Sequence, residues 1–145
     1  MRTIDKIIIH CSAGSQSNKA ADIIHFHLTP MAQGGRGWRT PGYHYIIEAD
    51  GSIIRAVPEY TPSNGCRGQN AHAINVCYIG GVDLTRKVKG QYPPLDNRTP
   101  AQKTSLLKLL KELRAKYPTA KIYGHRDFAP KACPSFDARS EYAEL

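Results

Sequence analysis

KIYGHRDFAPKACPSFD, Lys121 to Asp137, is the stretch on which the reading of this chain turns. Ile122 and Tyr123 read as the end of a short buried strand, Gly124 breaks it, and His125 emerges at its mouth. After a loop containing Pro130 come Lys131, Ala132, Cys133 and Pro134. A histidine followed by a proline-fixed cysteine, with a lysine just before that cysteine, suggests half of a metal site. The first strand offers the other half. Ile4 to His10 is an isoleucine-rich run of the kind buried on both faces of a sheet, and it ends on His10.

Between these ends the chain alternates strands and helices. Ser17 or Asn18 can cap a helix running to about Leu28, with Ala21, Ile24, His25 and Leu28 at helical spacing. Gln33 to Pro41 is a glycine-rich loop that carries Trp38. Gly42 to Glu48 and Ser52 to Val57 read as two strands joined by the Asp50-Gly51 hairpin turn. Ala73 to Ile79 is a further buried strand, closed by Gly80-Gly81. Thr99 as N-cap, Pro100 at the first helical position and Gln102 in a capping box open an amphipathic helix through Leu106, Leu107, Leu109, Leu110 and Leu113, ending near Lys116. Ala138 to Leu145 is a last short helix. The expected fold class is α/β: a single domain, residues 1–145, with a central mixed β-sheet flanked by helices.

The totals suit that fold. The 145 residues can bury a core without staples, and 41% hydrophobic with 22% charged residues is ordinary globular composition. A net charge of +8 means either a solvated basic surface or an anionic partner such as nucleic acid, a membrane surface or a cell-wall polymer. No arginine-rich arm or zinc-finger spacing singles out nucleic acid, so none is expected. No apolar run approaches the ~20 residues of a membrane span, so no membrane insertion is expected. The apolar stretch at the N-terminus is too short for a signal peptide and is interrupted by Asp5 and Lys6, which implies synthesis in the cytoplasm. Four irregularly spaced cysteines then read as thiols or ligands.

Taken singly, each candidate ligand is ambiguous. A histidine at a strand end is more often a hydrogen-bonded core or surface residue, and a cysteine before proline a small apolar group. Together, two histidines and a thiolate match an open zinc site with three protein ligands and a water in the fourth position.

The chain also resembles a known family. IIIHCSA (Ile7–Ala13), GWRTPGYHYII (Gly37–Ile47), DGSI (Asp50–Ile53), NAHAINVCYIGG (Asn70–Gly81), TPAQ (Thr99–Gln102) and GHRDFAPKACPSFD (Gly124–Asp137) are similar, in order, to stretches of the T7-type phage lysozymes. These are N-acetylmuramoyl-L-alanine amidases of the zinc amidase and peptidoglycan-recognition-protein superfamily. The resemblance implies one Zn2+ held by His10, His125 and Cys133. It implies an active-site tyrosine at Tyr43 and the catalytic lysine of the phage branch at Lys131. The retained cysteine argues for cleavage over the alternative, a module that binds peptidoglycan without cutting it. Asn75 departs from the pattern, standing where relatives commonly have glycine, which implies a strand that bends differently.

Several roles follow as expectations. Tyr43 and Lys131 are donors to the oxyanion of an amide hydrolysis. Trp38 either stacks on substrate or packs the rim; Asn70, Ala71 and His72 contact substrate peptide along an exposed edge. Strand alternation puts Tyr43, Tyr45 and Ile47 on one face and His44, Ile46 and Glu48 on the other, so Glu48 points away from the metal. The preferred scheme is therefore a zinc-activated water, with His44 and His72 as alternative bases. Cys11 turns away from His10, Cys77 belongs to the core, Cys66 is a loop thiol, and His25 and His27 are solvated. The expected substrate is peptidoglycan or a muropeptide. The sites of action are the bacterial wall after release, or cytoplasmic muropeptides. A monomer is expected. Some phage relatives also bind RNA polymerase, but the chain begins almost directly on its first strand and offers little arm for that partner.

Overall fold

The isoleucine run becomes the middle of a sheet because it has partners on both sides. In a computed structural model describing residues 2–145, the elements in chain order are β1 (Lys6–Cys11), α1 (Ala20–Leu28), β2 (Tyr45–Ile47), β3 (Ile53–Arg55), β4 (Ala73–Tyr78), α2 (Pro100–Lys116), β5 (Lys121–Gly124) and α3 (Ala138–Glu141). The strands line up as β3-β2-β4-β1-β5. The pairs β2/β4, β4/β1 and β1/β5 are parallel, and only β2/β3 is antiparallel, the hairpin turned at Asp50-Gly51. This is the mixed sheet flanked by helices that the alternating pattern implies.

Strand parity decides where the core ends and the site begins. Ile7, Ile9 and Cys11 of β1, with Ile74, Val76 and Tyr78 of β4, face α2 and pack on Leu106, Leu109, Leu110 and Leu113. Ile8 faces the other way and packs with Cys66 and Ala73. His10, two positions on, shares that second face. The sheet thus buries its main core on one side and carries the candidate ligand on the other. Asn75 does not bend β4, whose six residues run in continuous register with β1.

α2 forms as its sequence dictates. Thr99 Oγ1 accepts from Gln102 N at 3.0 Å and Gln102 Oε1 accepts from Thr99 N at 3.0 Å. The buried Gln102 also donates Nε2 to the carbonyls of Ile47 and Ile79, at 3.2 and 2.9 Å. The capping box therefore also ties the helix to the ends of β2 and β4. Leu107 falls off the core stripe and is exposed.

α1 differs from expectation. Its cap is Lys19, whose N–H donates to Asp22 Oδ2 at 2.8 Å, while Ala20 N donates to Glu48 Oε2 at 2.8 Å. The helix starts after the serine and asparagine and buries Ala20, Ile23 and His27, leaving Leu28 exposed. Spacings of three and four recur on neighbouring faces of one helix, so periodicity alone did not select the face. The hairpin strands are also shorter than read, three residues each.

One buried cation anchors the loop ahead of α2. Arg98, its side chain 2% exposed, donates to both oxygens of Asp96, both of Glu141 and the Tyr142 hydroxyl, with its guanidinium 3.4 Å from the Phe136 ring centroid. Removing one partner of a buried pair costs about 3–5 kcal/mol. Solvent reaches the two carboxylates, so Arg98→Ala is expected to cost about 2–3 kcal/mol. Urea unfolding measures this, and a loss under about 1 kcal/mol would show that the network contributes little.

Candidate functional site

The three candidate ligands arrive from different elements and meet. His10 ends β1, His125 opens the 3-10 turn that follows β5, and Cys133 comes on the loop before α3. Their donor atoms all lie within 4.8 Å of one another. Gly124 makes room for this: a Cβ there would sit 2.8 Å from Pro134, the residue after Cys133. Tyr78 donates its hydroxyl to Pro134 O at 2.6 Å and Ser135 donates to Gly81 O at 2.6 Å, holding the cysteine loop against β4. Asp127 accepts from Gly124 N at 2.8 Å and closes the turn at His125.

The donor set fits a tetrahedral cation. His10 Nδ1 and His125 Nδ1 face each other at 3.2 Å, close to the ~3.3 Å edge that Zn–N bonds of ~2.0–2.1 Å build. Burial is the first cause that keeps both imidazoles neutral, and Lys131 adds to it; the buried His10 is pulled down to about 3. Neutral imidazole is the form that binds metal. Cys11 N–H donates to Cys133 Sγ at 3.1 Å, a bond suited to a thiolate. The neighbouring Cys11 thiol and burial raise Cys133 when no cation is bound, so binding must displace its proton.

A row of rings runs outward from this cluster. Tyr43 lies 5.0 Å from His10, His27 lies 5.4 Å from Tyr43, and Trp38 lies 4.7 Å from His27, centroid to centroid. Burial and nearby thiols push the Tyr43 phenol well above the ordinary tyrosine value, so it keeps its proton. Beside the row opens a cleft of ≈ 450 Å³ lined by His125, Lys131, Trp38, Arg36, Arg67 and neighbouring loop residues. Its charged lining is entirely cationic.

The structure brings together His10, His125, Cys133, Tyr43, Lys131 and Trp38, and it corrects other expectations. Ala71 and His72 lie at the entry to β4, where His72 Nδ1 meets Thr3 O at 2.9 Å, at the opposite end of the sheet from His10. They lie apart from the cluster, before Ala73, itself four strand positions from the level of His10. Asn70 spends its carbonyl oxygen Oδ1 on Cys66 N and Asn75 Nδ2 and belongs to the support of the site. Tyr43 packs with Ile46 instead of Tyr45 and Ile47, because β2 begins only at Tyr45 and alternation does not reach back to residue 43. Glu48 is committed to the start of α1. His44 is fully buried with Nδ1 accepting from Asn75 N at 3.0 Å and Nε2 against Thr61 O at 2.7 Å, which leaves no free nitrogen for a base. Cys66 is buried beneath the cleft.

His27 was read as solvated and is instead buried, accepting from Gly42 N at 3.0 Å and supporting Tyr43 from behind. A Cβ on Gly42 would sit 2.9 Å from its ring, so the glycine before Tyr43 was the available signal. Burial lowers both His27 and His44 from 6.5 to about 4. The unfolded chain takes up these protons near pH 6.5 and the folded chain only near 4. Their stabilisation is therefore full above pH 6.5 and is lost as pH falls toward 4, at about 1.4 kcal/mol per unit for each histidine. Urea midpoints of metal-free protein from pH 7.5 to 4.5 are expected to fall steadily. A flat profile would show that these imidazoles are not held neutral.

A mixed-sheet α/β domain with two histidines and a cysteine converging beside an open cleft offers a donor set that could hold a single metal ion. Sequence and structure comparison narrow that reading. The family model described as N-acetylmuramoyl-L-alanine amidase matches residues 1–136, and the chain belongs to this family of enzymes. It is 39% identical over 139 residues to the endolysin of Enterobacteria phage T3, covering 94% of this chain and 84% of the relative. It is likewise 39% identical over 137 residues to the endolysin of Escherichia phage T7, covering 93% and 83%. Among solved structures, the N-acetylmuramoyl-L-alanine amidase LysC from Clostridium intestinale URNW superposes with a TM-score of 0.75 at 26% identity, over 97% of this chain and 83% of that one. Drosophila PGRP-LB, at 19% identity and a TM-score of 0.75 over 100% and 82%, shares the fold.

Proposed function

We propose that the chain hydrolyses the amide between the lactyl group of N-acetylmuramic acid and the first L-alanine of the peptidoglycan stem, using one zinc ion held by His10, His125 and Cys133. The observation that carries this reading is the meeting of three neutral-to-anionic donors at the edge of a cationic cleft. When bound, zinc supplies a Lewis acid that activates water and polarises a carbonyl near neutral pH.

The chain's own residues do the rest. Arg36, Arg67 and Lys131 attract the anionic wall polymer, consistent with the net charge of +8. Trp38 offers a partly exposed face at the cleft for a sugar or peptide plane. As the scissile carbonyl becomes tetrahedral, its oxygen gains negative charge. We assign the Tyr43 phenol, which burial keeps protonated, and the Lys131 ammonium as the donors to it. The likeness to phage endolysins supports action on the bacterial wall, with soluble muropeptides as the smaller version of the same substrate.

Digestion of purified peptidoglycan tests this. Free lactyl-muramyl sugar and intact stem peptides should appear, vanish on chelation and return with zinc. New reducing ends or cut stem peptides would assign a different bond.

A further inference from the structure

One fully buried polar group on the site's face of the sheet is not used by the chemistry above. Asn75 is fully buried in β4, on the face of His10, and in register with Ile8 two positions before it. His10 Nε2 lies 2.8 Å from Asn75 Oδ1. We propose that Asn75 is a positioning residue that locks His10 in the tautomer with its proton on Nε2, so that the Nδ1 lone pair faces the metal position. This rests on the reading that His10, His125 and Cys133 hold a cation.

The assignment follows from groups with no choice of role. Cys66 N–H can only donate, and it reaches Asn70 Oδ1 at 2.9 Å. That end of the Asn70 amide is therefore oxygen. Asn70 Oδ1 is also 3.1 Å from one end of the Asn75 amide, which must then be the NH2. The same NH2 donates to Ser63 Oγ at 2.8 Å, using its second proton. The remaining end of Asn75 is its oxygen, it faces His10, and His10 Nε2 must supply the hydrogen. A flipped amide would set two acceptors against each other at Asn70 in a buried place, where unpaired polar groups are costly.

A second chain of bonds holds Asn75 from behind. Its backbone N–H donates to His44 Nδ1 at 3.0 Å, and His44 Nε2 lies 2.7 Å from Thr61 O and 3.0 Å from the Arg2 guanidinium. Ser63 Oγ, 3.2 Å from His44 Nδ1, closes the loop. Gly65 packs on the amide, since a Cβ there would lie 2.5 Å from Asn75 Cγ. No buried side-chain polar atom among the described residues is left without a partner. An outer partner of this kind orients a metal-binding histidine and fixes its tautomer.

The first test needs no variant and no metal. Long-range 1H–15N spectra of the metal-free protein should show His10 protonated on Nε2; protonation on Nδ1 would overturn the proposal. The second is zinc affinity, measured by competition with a chromophoric chelator. Asn75→Ala should weaken zinc about 10–100-fold, and Asn75→Asp, which keeps an acceptor for His10 but turns a second oxygen toward Asn70 Oδ1, should recover part of that loss. A folded Asn75→Ala protein with native zinc affinity would also overturn it. If the unaltered chain bound no zinc, the metal reading would fall, and the spectrum alone would decide the tautomer.

Discussion

Cys133→Ser is expected to abolish zinc retention and peptidoglycan cleavage while the chain stays folded. The thiol is partly buried and packs only at the margin of the main core, so exchanging sulfur for oxygen removes little buried surface. What it removes is the one donor of the three that can become an anion near neutral pH. A serine hydroxyl in the same place accepts the Cys11 N–H but stays protonated. Two neutral imidazoles then face a divalent cation without a charged partner. The loss should exceed the ~10–100-fold that an outer partner contributes, because a bond to the metal itself is gone. His10→Ala should do the same.

Two readouts separate loss of metal from loss of fold. Metal analysis of the purified variant should find no stoichiometric zinc. The unaltered chain should gain thermal stability with added zinc, by about 2.7 kcal/mol at a hundredfold excess over the dissociation constant, and the variant should gain none. Cys11→Ser is the control for loss of a nearby thiol, since the Cys11 thiol neighbours Cys133 yet is not one of the three donors. A Cys133→Ser protein that kept its zinc and its turnover would remove the cysteine from the site.

That the candidate His-His-Cys cluster could be read from sequence while the residues packed around it could not has a physical reason. β1, α2 and the turn at Gly124 are specified locally: a run of isoleucines, a Thr-Pro-x-Gln box, and a glycine between strand and histidine. Histidine and cysteine just beyond strand ends carry a chemical signature of their own. The supporting residues carry none. Asn75 alternates with apolar neighbours like any interior polar residue, and only the β1–β4 register places it beneath His10. His27 and His25 share a helix, and which one is buried depends on where α1 starts, decided by Glu48 from another element. Arg98 is an ordinary basic loop residue until Asp96 and Glu141 close on it. Tyr43 is the intermediate case. The role proposed for it rests on similarity, and its face does not follow from alternation, because the ladder that enforces alternation starts two residues later.

Lys131→Ala should leave zinc bound and the fold unchanged, yet cost about 10²–10³ in kcat, the ~2.7–4 kcal/mol typical of a lost oxyanion donor. The fold should not notice, because the side chain is exposed and makes no salt bridge among the described residues. The zinc should not notice either. Lys131 lowers the proton affinity of both imidazoles, so its removal makes protons slightly stronger competitors for the ligands, a small effect near neutral pH. Tyr43→Phe should behave alike through a different route. The ring stays packed between His10 and His27, and only the phenol proton is lost. The split between kcat and KM distinguishes the roles. A donor that engages only the developing oxyanion lowers kcat and leaves KM in place, whereas a cation that merely holds anionic substrate raises KM and spares kcat. Lys131 shares its cleft with Arg36 and Arg67, so those arginines supply the internal comparison: Arg67→Ala should raise KM, most strongly at low salt, with kcat near native. If Lys131→Ala instead tracked Arg67→Ala, the lysine would be part of the electrostatic attraction and Tyr43 would remain as the oxyanion donor.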